Sequence, residues 1–172
     1  RVRAPADRLT VFFWFIGTAI VTIGLVFRDP RFDYRLLIVG SVIPIGDGVF
    51  GGARALHSLT VSVLLLVVLM LATSGRKPIR KMLLGLPIGM ILHLVFDGAW
   101  NNTEVFWWPF FGWSFEDSPL PVIDRGWWGL ALEAIGVALC VWLWRHNALG
   151  DRARRARFLH DGQLDAVPER FG

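Results

Sequence analysis

Cysteine is nearly absent from this chain. Cys140 is the single one in 172 residues, so no internal disulfide can form and packing alone must hold the fold. Cys140 itself lies in an apolar run and reads as a small buried hydrophobe. The first apolar run, Leu9 to Phe27, carries no charge and lacks an Ala-x-Ala cleavage site; it is expected to be a retained span, not a removed signal peptide. No Gly-x-Ser-x-Gly element occurs, so a strained nucleophilic serine of that kind is excluded. Ser58 beside His57 does not replace it, because neighbouring residues on a helix do not face each other. Lys and Arg are also missing from the interiors of the apolar runs. The net charge of +4 comes from residues flanking those runs, a pattern that speaks for membrane topology and against a nucleic-acid partner.

What is present in excess is apolar surface. Hydrophobic residues make up 54% of the chain and the mean hydropathy is +0.50, above the range of soluble globular domains. The expected fold is an all-α integral membrane protein of about four transmembrane helices plus one broken, re-entrant segment. The spans are Leu9 to Phe27, Leu56 to Ala72, Met82 to Asp97 and Trp127 to Trp144. Leu36 to Ala53 is the irregular one. Only Leu36 to Ile45 is continuously apolar, too short for a helical crossing of a bilayer core of about 30 Å. Pro44, Gly46, Gly48, Gly51 and Gly52 break the remainder of the segment, and a broken segment is tolerated at membrane depth only where protein or a cavity covers it. Residues 1–150 form the helical unit and residues 151–172 a basic tail, expected to lie on the membrane surface or to be disordered.

Placing the N-terminus, the Gly75 to Lys81 loop and the C-terminal tail in the cytoplasm puts 13 of the 18 Lys and Arg inside. The expected location is a bacterial-type inner (plasma) membrane, multi-pass, with the aromatic Gly98 to Arg125 loop outside.

Within this apolar sequence stand four ionisable groups, Asp47, His57, His93 and Asp97. Such groups are costly in a span and mark a functional site by default. His93 and Asp97 are spaced i, i+4 and share one helix face. Asp47 and His57 would be about 15 Å apart on an unbroken helix, so the glycine-rich break must bring the chain back on itself. Mixed His and carboxylate ligands suit zinc, manganese or iron. A single intramembrane His is more often a packing residue; four ligand-type groups converging on one membrane face shift the balance towards a metal or catalytic cluster. His146 and His160, in the basic tail region, read as solvated. Arg54 is a candidate for stabilising developing negative charge, against the alternative of an interfacial anchor. Glu104 and Glu133 are candidate proton acceptors, against a solvated loop acid and a structural partner of an Arg.

Several motifs in order resemble the YdjM-like family of membrane-bound metal-dependent hydrolases. These are Gly40-Ser41-x-x-Pro44-x-x-Asp47, His57-Ser58 opening a span, His93-x-x-x-Asp97, and Trp108-Pro109-Phe110 after it. Ile45 departs from the family pattern, in which that position is often a carboxylate. The resemblance covers close to half the chain and implies a metal-dependent hydrolase, with Asp47, His57, His93 and Asp97 as ligands of a divalent ion, zinc or manganese. The expected substrate is a membrane lipid, with a phosphate-containing headgroup favoured, cleaved at the extracytoplasmic face. Two alternatives use the same residues. One is a small ion- or proton-coupled carrier or channel; the other is a non-catalytic membrane subunit with a structural metal.

Overall fold

The computed structural model describes residues 11–27, 32–50, 52–115 and 127–164. Every regular element among them is helical. The α-helices are α1 (Phe13–Phe27), α2 (Tyr34–Val42), α3 (Leu59–Ala72), α4 (Lys77–Leu83), α5 (Gly85–Asp97), α6 (Thr103–Phe106), α7 (Trp127–His146) and α8 (Arg152–Asp161), and 3-10 turns cover Ile43–Phe50, Ala55–His57 and Ala99–Asn101. Two stretches are long and apolar enough to cross a membrane, Lys77–Asp97 and Trp127–His146. Phe13–Phe27 and Leu59–Ala72 are shorter apolar helices.

Glycine sets the spacing of the bundle. A Cβ on Gly40 would overlap the backbone of Leu86, and one on Gly89 would sit 2.7 Å from Ser41 N and 2.9 Å from Gly40 C. Gly85 would meet Asp33 O and Leu37 N at 3.0 Å. α2 and α5 therefore touch backbone to backbone, the use of small residues that membrane helix pairs favour. These contacts pair Asp33 and Leu37 with Gly85, and Ser41 with Gly89 and His93, so α2 and α5 run the same way. α1 and α7 also run parallel. Gly136 lies against Phe13 and Trp14 and Gly17 against Leu139, while Glu133 accepts hydrogen bonds from the Phe13 and Trp14 amides at 3.2 and 3.3 Å. α1 starts where α5 ends, Trp14 Nε1 donating to Phe96 O at 3.4 Å.

The path of Tyr34–Phe50 differs from the in-and-out course expected of Leu36 to Ala53. A segment that dips in and returns would have both its ends at one end of the bundle. Instead α2 starts beside Gly85, at the end away from Asp97, and the 3-10 turn prolongs it to the end that holds Asp97. α helix and 3-10 helix together reach about 30 Å. The first turn of α1 lies at the Asp97 end, and α8 lies at the other.

The described part of the tail, residues 151–164, is helical and packed on the bundle. Asp151 caps α8 by accepting from the Ala153 and Arg154 amides, and Gly162 closes it in the left-handed conformation. Arg35 donates to the last carbonyls of α8, Leu159 O at 2.9 Å and His160 O at 2.7 Å, while its other nitrogens hold Asp33. Tyr34 N donates to Gly162 O at 2.8 Å, and Phe158 and Leu164 join the core of Ala19, Ile20, Ile23, Leu37 and Leu143.

Pro87 acts on the turn upstream of itself. Its ring excludes the carbonyl four residues earlier, and the helix is interrupted at Leu84, between α4 and α5.

A candidate metal centre at one end of the bundle

Three elements deliver the site. α5 carries His93 and Asp97 one turn apart. The 3-10 turn Ile43–Phe50, continuing α2, carries Asp47, and the turn Ala55–His57 that leads into α3 carries His57. The loop back from Asp47 to His57 is closed by the carboxylate: Asp47 Oδ2 accepts from Arg54 N at 2.9 Å and from His57 N at 3.2 Å. Ser58 then caps α3, accepting from Thr60 N at 3.1 Å, and its hydroxyl donates to Trp108 O at 2.8 Å. That bond ties the site to the aromatic segment after α5.

The polar groups are deeply buried. Relative exposure is 0% for Asp97, 1% for His93, 2% for His57 and 3% for Asp47. One ligand atom from each of His57, His93 and Asp97 lies within 4.8 Å of the others. The imidazoles are oriented from behind. His57 Nδ1 is 3.0 Å from Asp47 Oδ2, and His93 Nδ1 is 2.7 Å from Ser41 O. A carbonyl can only accept, so Nδ1 of His93 carries a proton, and in the neutral tautomer Nε2 is then the nitrogen with the lone pair. His57 Nε2 faces Asp97 Oδ2 at 3.8 Å. Phe15 stacks on His93 with ring centroids 3.9 Å apart and fixes its plane.

This donor set fits a divalent ion. Two imidazole nitrogens and a carboxylate oxygen at bonds of about 2.1 Å would be about 3.4 Å apart around a tetrahedral centre; His57 Nε2 and Asp97 Oδ2 are 3.8 Å apart and the whole group lies within 4.8 Å. Imidazole nitrogens and a carboxylate oxygen together are the donor types that such ions take.

Of the residues singled out in the sequence, His57, His93 and Asp97 come together and Asp47 stands behind His57. Arg54 belongs to the same loop, its guanidinium 5.7 Å from the centroid of the Phe115 ring. Glu104 is exposed in the first turn of α6. Glu133 is engaged with the first amides of α1. Neither is in the group of close ligand atoms. Sequence reasoning gave no role to Phe15 or to the Ser41 carbonyl. Ser41 lies inside a motif that could have pointed to it; Phe15 carries no local signal, because its role depends on where α1 packs.

Comparisons of the chain with protein-family models, with curated proteins and with solved structures find no match.

Proposed function

We propose that this chain is a membrane-embedded, metal-dependent hydrolase acting on a membrane lipid at the extracytoplasmic face. The observation that carries the reading is the buried convergence of His57, His93 and Asp97, with both imidazoles oriented by a second hydrogen bond. The ordered motifs that resemble the YdjM-like hydrolases favour the same chemistry. His57 and His93 would hold the ion through Nε2 and Asp97 through its carboxylate. A zinc or manganese ion so held supplies Lewis-acid polarisation of a phosphoryl or acyl oxygen and acidifies a bound water. Arg54, whose backbone amide donates to Asp47, would attract an anionic headgroup through its charge. Glu133 caps α1 and is not used as a proton acceptor in this reading.

The membrane arrangement rests on charge and exposure. Five segments cross in alternation: α1, Tyr34–Phe50, α3, Lys77–Asp97 and α7. Among the described residues Arg54 is the one cation at the site end; Arg35, Arg76 to Lys81, Arg145 and the four arginines of α8 lie at the other. By the positive-inside rule that other end is cytoplasmic. Large apolar side chains point outwards along the helices, among them Leu25, Val26, Leu64, Val68, Leu71 and Val141, as lipid-facing surfaces do. A transport route is disfavoured, since beneath the site the helices close on the apolar core of Ala19, Ile20, Ile23 and Leu37.

Elemental analysis of the purified protein should find a divalent ion that is lost in both His57→Ala and His93→Ala. Metal-loaded protein in nanodiscs should then release phosphate or headgroup from a panel of lipid phosphates, and Asp97→Ala should not. Unchanged metal content in both histidine variants sinks the centre. Turnover of none of these lipids, with ion flux across liposomes, replaces the hydrolase by a carrier.

A further inference from the structure

Asp47 stands outside the group of mutually close ligand atoms, although its motif marks it as a ligand. The same oxygen that closes the Asp47–His57 loop, accepting from two backbone amides, also lies 3.0 Å from His57 Nδ1. Three donors converge on one carboxylate oxygen that offers about two lone pairs. That oxygen has no capacity left for an ion, and the imidazole stands between it and the facing Asp97.

We infer that Asp47 is a positioning residue for the metal centre and not one of its ligands. Its carboxylate keeps the proton of His57 on Nδ1 and fixes the ring angle, so that Nε2 is the atom offered to the ion. This inference rests on the metal-centre reading above. His93 is served differently, since its Nδ1 meets the neutral Ser41 carbonyl. A carboxylate behind an imidazole raises its basicity as a ligand more than a carbonyl does. His57 is therefore the stronger of the two nitrogen donors, and Asp47 is the residue through which its strength is set.

The test uses cobalt(II) as a spectroscopic stand-in, titrated into the purified full chain in detergent. Asp47→Asn can still place an oxygen against Nδ1–H, so it should fold and give the visible absorption bands of the wild type. Its cobalt affinity should fall about 10- to 100-fold. His57→Gln, which removes a ligand, should change the band positions and intensities. An Asp47→Asn spectrum altered in the manner of a lost ligand, or an unchanged affinity, overturns the inference. Nitrogen-15 NMR of the metal-loaded wild type tests it without a variant: His57 should be protonated at Nδ1 and shifted by metal at Nε2, and the reverse assignment refutes it. A wild type that binds no cobalt defeats the metal-centre reading itself, and this inference falls with it. Binding with a spectrum insensitive to His57→Gln leaves a metal but removes Asp47 from any part in it.

Discussion

At the scale of single residues, acidic side chains in one apolar chain have been put to different uses by what surrounds them. Asp97 faces an imidazole, Asp47 stands behind one, and Glu133 reaches across to another helix. The Glu133 carboxylate meets the first two amides of α1, where the helix presents unsatisfied donors and partial positive charge. Glu133→Ala should fray the first turn of α1 at a cost of about 1 kcal/mol. Amide exchange at Phe13 and Trp14 should quicken while metal content stays near that of the wild type. An abolished lipid turnover with α1 exchange unaltered would return Glu133 to the role of proton acceptor.

At the scale of elements, the α2–α5 contact couples stability to the site. A methyl group at Gly89 meets the backbone of Leu37, Gly40 and Ser41, and backbone cannot swing aside as a flexible side chain can. Gly89→Ala should lower stability by about 1–3 kcal/mol. It should also weaken metal binding, because α2 carries the carbonyl that orients His93. Gly24→Ala is the control: its nearest neighbour is Tyr34 Oη at 3.8 Å, and helix propensity favours the alanine. Equal effects of the two changes in thermal unfolding would show that the close approach is not what matters.

A second element-scale prediction concerns α8. Hydrogen bonds from the Arg154 and then the Ala153 backbone hold the Asp151 carboxyl below its ordinary range. A carboxyl whose pKa is depressed on folding stabilises the folded form above its unfolded value, about 4. That contribution is lost as pH falls through the depressed value. The first turn of α8 should accordingly lose protection in hydrogen exchange between pH 7 and pH 3, after correction for intrinsic rates. Asp151→Ala should show the low-pH behaviour at both.

For the whole molecule, the direction of α2 decides the topology. If Tyr34–Phe50 crosses, the first turn of α1 is extracytoplasmic and shares its side with the aromatic segment around Trp113. Single cysteines placed at Phe12, Trp113, Ser74 and Ala156 in a Cys140→Ala background should label from outside at the first two and only from inside at the last two. Finding Phe12 on the side of Ser74 would restore a re-entrant segment and an N-terminus in the cytoplasm.

The sequence by itself determined the helical, strongly apolar character of the chain. It also placed His93 and Asp97 on one face, because i, i+4 spacing is a property of one helix and needs no partner. The break around Gly46 and Gly48 and the burial of Asp47 and His57 were legible for a similar reason, since glycine, proline and ionisable groups in apolar sequence have local costs. Tertiary structure alone decided the rest. The parallel run of α2 along α5 depended on Gly40, Gly85 and Gly89 meeting across two helices, and no periodicity within either helix encodes that register. The separation of Asp47 from the ligand atoms was decided by which lone pairs the Arg54 and His57 amides consumed, a competition that exists only once the loop has closed. Glu133 found its partners through the parallel packing of α1 and α7, residues 120 positions apart in sequence, where the physics of contact acts and sequence spacing carries no information.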